Sequence, residues 1–290
     1  NQIIDSTLRG LNFRKLEGSI HFETKLPKYN AVQVLKNTNL RTVSKNTRNK
    51  VNKSIRNGLS LVKGKRDDLD ILFNFIKNKK DYPIYHYYNY YNAFSKNKEM
   101  DIFLVKINYE DCLINLRERF EEENKRNIEL TEILMHNSSN ENLKRKMESD
   151  TVIDTYKESI ALATHHLAVN KEEYIAGAIT IRYKNRVNIV ISGYDKNYKK
   201  FCPNYFLHYK LIEYYKNDFD YMDLNGITGD FTNTNPYKGL DEFKLGFNPL
   251  TFEYIGEYDF IINEGLYKSM EQSGQLAKEF KRKEKSISTN

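Results

Sequence analysis

The 290 residues contain 39% hydrophobic side chains and 46 Lys+Arg against 39 Asp+Glu, a formal charge of +7. That is enough apolar material for one large or two small domains, and the mean hydropathy of −0.72 points to an extended solvated element or a heavily charged surface. Two distant cysteines, Cys112 and Cys202, with no CxxC pair give no support to a disulfide framework or a structural zinc site. No apolar run resembles a signal peptide or a bilayer span, so the chain reads as cytoplasmic. The positive balance suits a phosphate-rich partner as well as simple solubility.

In chain order, residues 12–26 alternate as one or two strands, broken at Pro27. A basic helix is predicted from about Asn37 to Asn57. Its Val43, Thr47, Val51 and Ile55 share a face, Arg41, Lys45, Arg48, Lys50, Lys53 and Arg56 occupy much of the remainder, and Gly58 stops it. A short strand (59–64), a helix (67–77), an aromatic helical or irregular segment (84–96) and a strand (101–107) follow. Residues 111–168 hold no Gly or Pro and only one polar interruption, at 136–142. Leu113, Leu116, Phe120, Ile128 and Leu134 on one side, and Val152, Tyr156, Ile160 and Leu167 on the other, predict two antiparallel helices of about 25 residues, ~37 Å each, packed mainly on each other.

Strands at 174–183 and 187–194 join through Lys184-Asn185, and Pro203 opens a Tyr-rich helix. A strand at 219–224 leads into a polar, glycine-rich loop, 225–247. Short strands at 252–254 and 258–262 precede a final basic helix from about Gly265 and a frayed tail. The order implies an α/β or α+β domain around a mixed sheet with an inserted helical hairpin.

No nucleophile, P-loop or zincin motif is present. Adjacent His165 and His166 point about 100° apart on a helix and cannot chelate one metal. They read as structural or surface residues, and His208 as packing. In the 225–247 loop, Asp230 could accept from an amine or hydroxyl and Lys244 could hold a phosphate or an oxyanion. The basic helix is a solvated face or a phosphate-binding one.

The run 221–260 resembles the closing segment of the Fem-type (FemABX) peptidyl aminoacyltransferases, which build interpeptide bridges in Gram-positive peptidoglycan. The resemblance is carried by Gly226-Ile227-Thr228-Gly229-Asp230, by Gly239-Leu240 and by Glu242-Phe243-Lys244-Leu245-Gly246-Phe247. The order Lys45, Arg48, Val51, Lys53, Gly58 resembles the family's basic helix, and the hairpin its helical arm.

This resemblance implies a GNAT-like acyltransferase domain with a mixed sheet (27–110 and 169–265) and an inserted antiparallel two-helix coiled-coil arm (111–168). Residues 1–26 would be the remnant of a first such domain or linking strands, and 266–290 a C-terminal basic helix and tail. The family carries two such domains, so this chain is expected to hold the second and only part of the substrate cleft.

The implied reaction is attack by a stem-peptide amine of a lipid-linked muropeptide precursor, of lipid II type, on the ester of an aminoacyl-tRNA. That donor is a co-substrate, and no cofactor and no metal is required. By the resemblance, Lys244 stabilises the oxyanion or the tRNA terminus and the Phe243 backbone places the amine. Asp230, Tyr237, Tyr194 and Asn225 are candidates for the substrate pocket, and Arg48 and Lys53 for tRNA phosphates. The arm would contact tRNA or other Fem-type transferases, and the protein would work in the cytoplasm or at the inner membrane face. Two alternatives stand beside this reading. One is a catalytically degenerate Fem-like scaffold or partner-binding protein. The other is an acetyl-CoA-dependent enzyme, whose pyrophosphate-binding loop is not found in the sequence.

Overall fold

The computed structural model describes residues 1–16, 27–79 and 82–274. The central element is a seven-stranded sheet in the order β3-β4-β5-β6-β7-β2-β8. Its strands are β2 (Tyr29–Val34), β3 (Leu59–Gly64), β4 (Met100–Asn108), β5 (Glu172–Tyr183), β6 (Arg186–Tyr194), β7 (Tyr221–Ile227) and β8 (Leu250–Glu253). Every neighbouring pair is antiparallel except β6 and β7, so the sheet is mixed and the fold is mixed α/β.

β4 is buried on both faces. Phe103, Val105 and Ile107 join one core with α2 (Lys45–Arg56) and α7 (Pro203–Tyr215), whereas Ile102 and Leu104 join a second with α3 (Leu69–Ile76) and α4 (Ile84–Phe94). A central strand covered by helices on both sides reads as a continuous apolar run, as DIFLVKI does.

α2 is shorter than expected. It begins at Lys45, where the Ser44 hydroxyl accepts from the Thr47 N–H at 3.2 Å, while residues 35–37 form a separate 3-10 turn. Val43, Thr47 and Val51 are buried but Ile55 is exposed, because Ser54 rather than Ile55 takes the inward position in the last turn. Gly58 adopts φ +74, the left-handed stop for which glycine suits best.

The hairpin lies between β4 and β5 as α5 (Tyr109–His136) and α6 (Asn140–Leu167), 28 residues each. At 1.5 Å per residue each is about 42 Å long. Asn108 and Ser139 cap their N-termini. The seam differs from the expected stripe. Ile128 and Val152 are exposed, while Leu130 and Ile153 turn inward. A polar layer interrupts the apolar contacts: Ser149 donates to Glu123 at 2.6 Å, and Asn127 donates to Ser149 at 3.1 Å and to Asp150 at 2.8 Å. A buried polar layer of this kind fixes which turns of two helices face each other.

At the hairpin's base, the Tyr109 and Tyr198 hydroxyls lie 2.7 Å apart. Both donate to the Glu173 carboxylate, at 2.7 and 2.6 Å. His166 stacks on Tyr109 and comes 3.0 Å from the Tyr198 hydroxyl. Burial and the adjacent carboxylate push both phenols well above their ordinary range. The histidine pair therefore contributes His166 to the joint between hairpin and sheet.

A small second sheet pairs β1 (Phe13–Lys15) with β9 (Tyr258–Phe260), joining the two ends of the chain. The unanticipated helix α1 (Gln2–Gly10) flanks it, and Arg14 pairs with Glu271 of α9 (Glu264–Gln272). The rest of the expected strand segment, 17–26, and the basic tail, 275–290, lie outside the described residues. Among the described residues, no helix is long and apolar enough to cross a membrane.

Candidate functional site

The parallel pair β6/β7 is joined only at Arg186–Asn188 against Tyr221–Asp223, after which the strands part. Crevices beyond the carboxyl ends of parallel strands are habitual ligand sites in open α/β sheets. Here Asn225, at φ +66, bridges the opening by donating from its side-chain amide to the Ile189 carbonyl. Its own N–H donates to Asp223 at 2.8 Å, and the buried Asp223 carboxylate also accepts from Asn30 at 3.2 Å.

Residues 238–245, expected as loop, form the short helix α8 (Lys238–Leu245). α8 lays Phe243 and Lys244 against the end of β7. Lys244 is only 9% exposed, and its Nζ donates to the Gly226 carbonyl at 2.5 Å. Burial pushes its ammonium down to about 8, although Asp241 and Asp223 oppose that shift. The result is a desolvated ammonium fixed at the end of β7, past the last residue that pairs with β6. Phe243 is buried in an aromatic cluster with Tyr205, His208 and Phe247, ring centroids 4.8–5.5 Å away. His208 packs there as expected. It is buried, its Nδ1 lies 2.9 Å from the Asn204 carbonyl, and desolvation pushes it down to about 4, so it stays neutral at physiological pH.

Asp241, which the sequence did not single out, holds the loop ahead of α8. Its carboxylate is 2% exposed and accepts from the Thr228 N–H at 3.1 Å, the Thr228 hydroxyl, and the Asn235 amide at 3.2 Å. Asn235 also donates to the Asp230 carbonyl at 2.7 Å. The only sequence signal was an Asp in the first turn of a helix that was not foreseen.

The structure brings some of the predicted residues together. Lys244, Phe243 and Asn225 share the β7–α8 junction. Tyr237 precedes α8, its N–H donating to Asn235 at 2.8 Å, and Asp230 accepts from the Thr232 N–H at 2.9 Å within the same loop. Tyr194 ends β6, half-buried and raised by that burial, with Tyr205 as its neighbour. Arg48 sits in the first turns of α2, which touch this junction: the Ser44 N–H donates to the Gly246 carbonyl at 2.9 Å. Lys53 does not join them. It lies near the far end of α2, in a cleft at the hairpin base. Among the described residues, no group of three or more His, Cys, Asp or Glu side chains is placed to hold a metal.

Residues 11–273 match the family model described as the FemAB family. The lipid II:glycine glycyltransferase of Staphylococcus epidermidis is 22% identical over 244 residues, covering 80% of this chain and 57% of that protein. Its Staphylococcus aureus counterpart is 23% identical over 248 residues, covering 80% and 58%. The chain thus spans little more than half the length of these relatives. The crystal structure of FemX superposes with a TM-score of 0.61 at 18% identity, over 92% of this chain and 70% of that one, a likeness of fold.

Proposed function

Because the chain belongs to the FemAB family, we propose that it acts as an aminoacyltransferase that moves an amino acid from aminoacyl-tRNA onto the stem peptide of a lipid II-type muropeptide. The observation that carries this reading is Lys244: a buried ammonium, fixed on the Gly226 carbonyl beside Phe243, at the open end of two parallel strands. The relatives' names, lipid II:glycine glycyltransferase, supply the class of acceptor.

The chemistry asks little beyond placement and charge. The stem-peptide amine attacks the ester carbonyl, a C–N bond forms, and the C–O bond to the ribose breaks. The proton lost by the amine passes to the departing ribose oxygen. The ester is already activated, so no cofactor is needed. Lys244 faces the oxyanion of the tetrahedral intermediate, where a desolvated ammonium interacts far more strongly than it would in water. The Phe243 backbone places the amine, and Asn225, Asp230, Tyr237 and Tyr194 line the approach. Arg48 meets the donor's phosphates.

The parting of β6 and β7 supports a GNAT-like reading of the sheet, and the seam of α5 and α6 supports a coiled-coil reading of the arm. A lipid-linked acceptor implies work at the inner membrane face from the cytoplasmic side, alongside other Fem-type transferases. Purified protein supplied with tRNAs charged with labelled amino acids and with a lipid-linked muropeptide should yield labelled muropeptide. Label arriving from acetyl-CoA instead, or no label from any donor, would overturn the reading.

A further inference from the structure

α2 carries five cations, Lys45, Arg48, Lys50, Lys53 and Arg56, and no carboxylate. Among the described residues none of the five is in an ion pair with an acid; Lys50 meets only the Tyr205 hydroxyl, at 3.0 Å, and its ring. The arm, by contrast, is rich in carboxylates, and half of its cations are paired within it. Arg126, Arg145, Lys146 and Lys157 are paired with Glu123, Glu141, Asp150 and Asp154 on their own helices. A helix that leaves its cations unneutralised is the more credible contact for a polyanion.

The far end of α2 opens into a cleft of about 250 Å³ between α2, α5 and α6. Lys53, Arg56 and Arg119 line it, and among the described residues no carboxylate does. Arg119, like the α2 cations, has no acidic partner among the described residues. Leu116, Val152 and the half-buried Tyr156 supply apolar surface. An inorganic phosphate would use the cations and leave that surface idle. An aromatic ring bearing a phosphate would use both.

The first turn of α2 abuts the Phe243–Gly246 segment through the Ser44–Gly246 bond and its last turn reaches the cleft. Twelve residues separate the two ends by about 18 Å, a distance that a few nucleotides of single strand cover. We propose that this cleft takes one unpaired nucleotide of the donor RNA, its base against Tyr156 and its phosphates on Lys53, Arg56 and Arg119. The strand then runs along α2 so that its acylated end lies at Lys244. Splayed bases stacked on aromatic side chains beside cations are the usual way single-stranded RNA is held. The proposal rests on the RNA-dependent reading above and adds where the strand is gripped.

The test uses a fluorescein-labelled single-stranded RNA hexamer, with anisotropy followed across a salt series. Tyr156→Ala should weaken binding roughly ten-fold, and Tyr156→Phe should keep wild-type affinity because the ring remains. Arg119→Ala, which removes an unpaired half-buried side chain, should reduce the salt slope by about 0.7. Inorganic pyrophosphate and an acidic peptide should compete only weakly. Unchanged affinity in Tyr156→Ala together with an unchanged slope in Arg119→Ala would overturn the cleft. So would displacement of the RNA by pyrophosphate or by the peptide at comparable concentration. Failure of the cleft with transfer from aminoacyl-tRNA intact refutes only this inference, whereas failure of both RNA binding and transfer refutes the functional reading as well.

Discussion

Replacing Lys244 with Met should separate stability from function. The ammonium is nine-tenths buried and pushed down to about 8 from an ordinary 10.5. Between those two values the unfolded chain binds a proton that the folded chain has released, so stability rises with pH across that window. Keeping the ammonium charged in this buried site costs on the order of 3 kcal/mol, a cost borne in full below pH 8. Met removes that cost but leaves the Gly226 carbonyl without its donor, a loss of roughly 1–3 kcal/mol. The two effects offset, so Lys244→Met should alter stability at pH 7 by less than about 2 kcal/mol. The wild type's gain between pH 8 and 9.5 should vanish in the variant. Transfer activity should fall ~100-fold or more, as loss of one oxyanion donor does. Urea unfolding followed by circular dichroism at several pH values measures the first two effects. Equal pH slopes in both proteins, or a destabilisation above about 4 kcal/mol, would refute the picture of a strained, functional ammonium.

Asp241→Ala strips the Thr228 N–H of its acceptor in a buried site and should cost about 3 kcal/mol. It should also lower the Lys244 pKa further, since an opposing charge is lost; NMR titration of labelled lysine reads this directly. A Cβ at Gly246 would run into the Thr47 hydroxyl, so Gly246→Ala should destabilise by about 1–3 kcal/mol. Adding Thr47→Ala should recover most of that loss, and a double-mutant cycle by thermal unfolding checks the coupling. Tyr198→Phe removes a hydroxyl bonded to Glu173, Tyr109 and His166. It should cost about 1–2 kcal/mol and speed hydrogen exchange in the first turns of α5, leaving the hairpin tip unchanged.

Much of this architecture was legible where local pattern dominates. The absence of Gly and Pro from 111–168 marked the hairpin, and the continuous apolar run of β4 marked a strand buried on both faces. The Phe243-Lys244 pair stood out through its motif. What stayed hidden depends on contacts distant in sequence. α8 is only eight residues long, and Pro236 and Gly239 punctuate it as a loop would. Its Asp241 acquires meaning only through Thr228 and Asn235 in the loop before it. The hairpin stripe misassigned Ile128 and Val152 because the polar layer of Glu123, Asn127 and Ser149 occupies seam positions that periodicity reserves for apolar side chains. The pairing of β1 with β9 joins opposite ends of the chain, which no local signal announces.

If the buried Lys244 ammonium serves aminoacyl transfer from tRNA, its removal must slow the chemical step itself. Single-turnover transfer of a labelled amino acid from charged tRNA to a lipid-linked muropeptide, by wild type and by Lys244→Met at equal folded concentration, tests it most directly. Wild type should yield labelled muropeptide, and the variant should do so at a rate lower by ~100-fold or more. A Lys244→Met rate within a few-fold of wild type, or no transfer from charged tRNA by the wild-type protein, would contradict it.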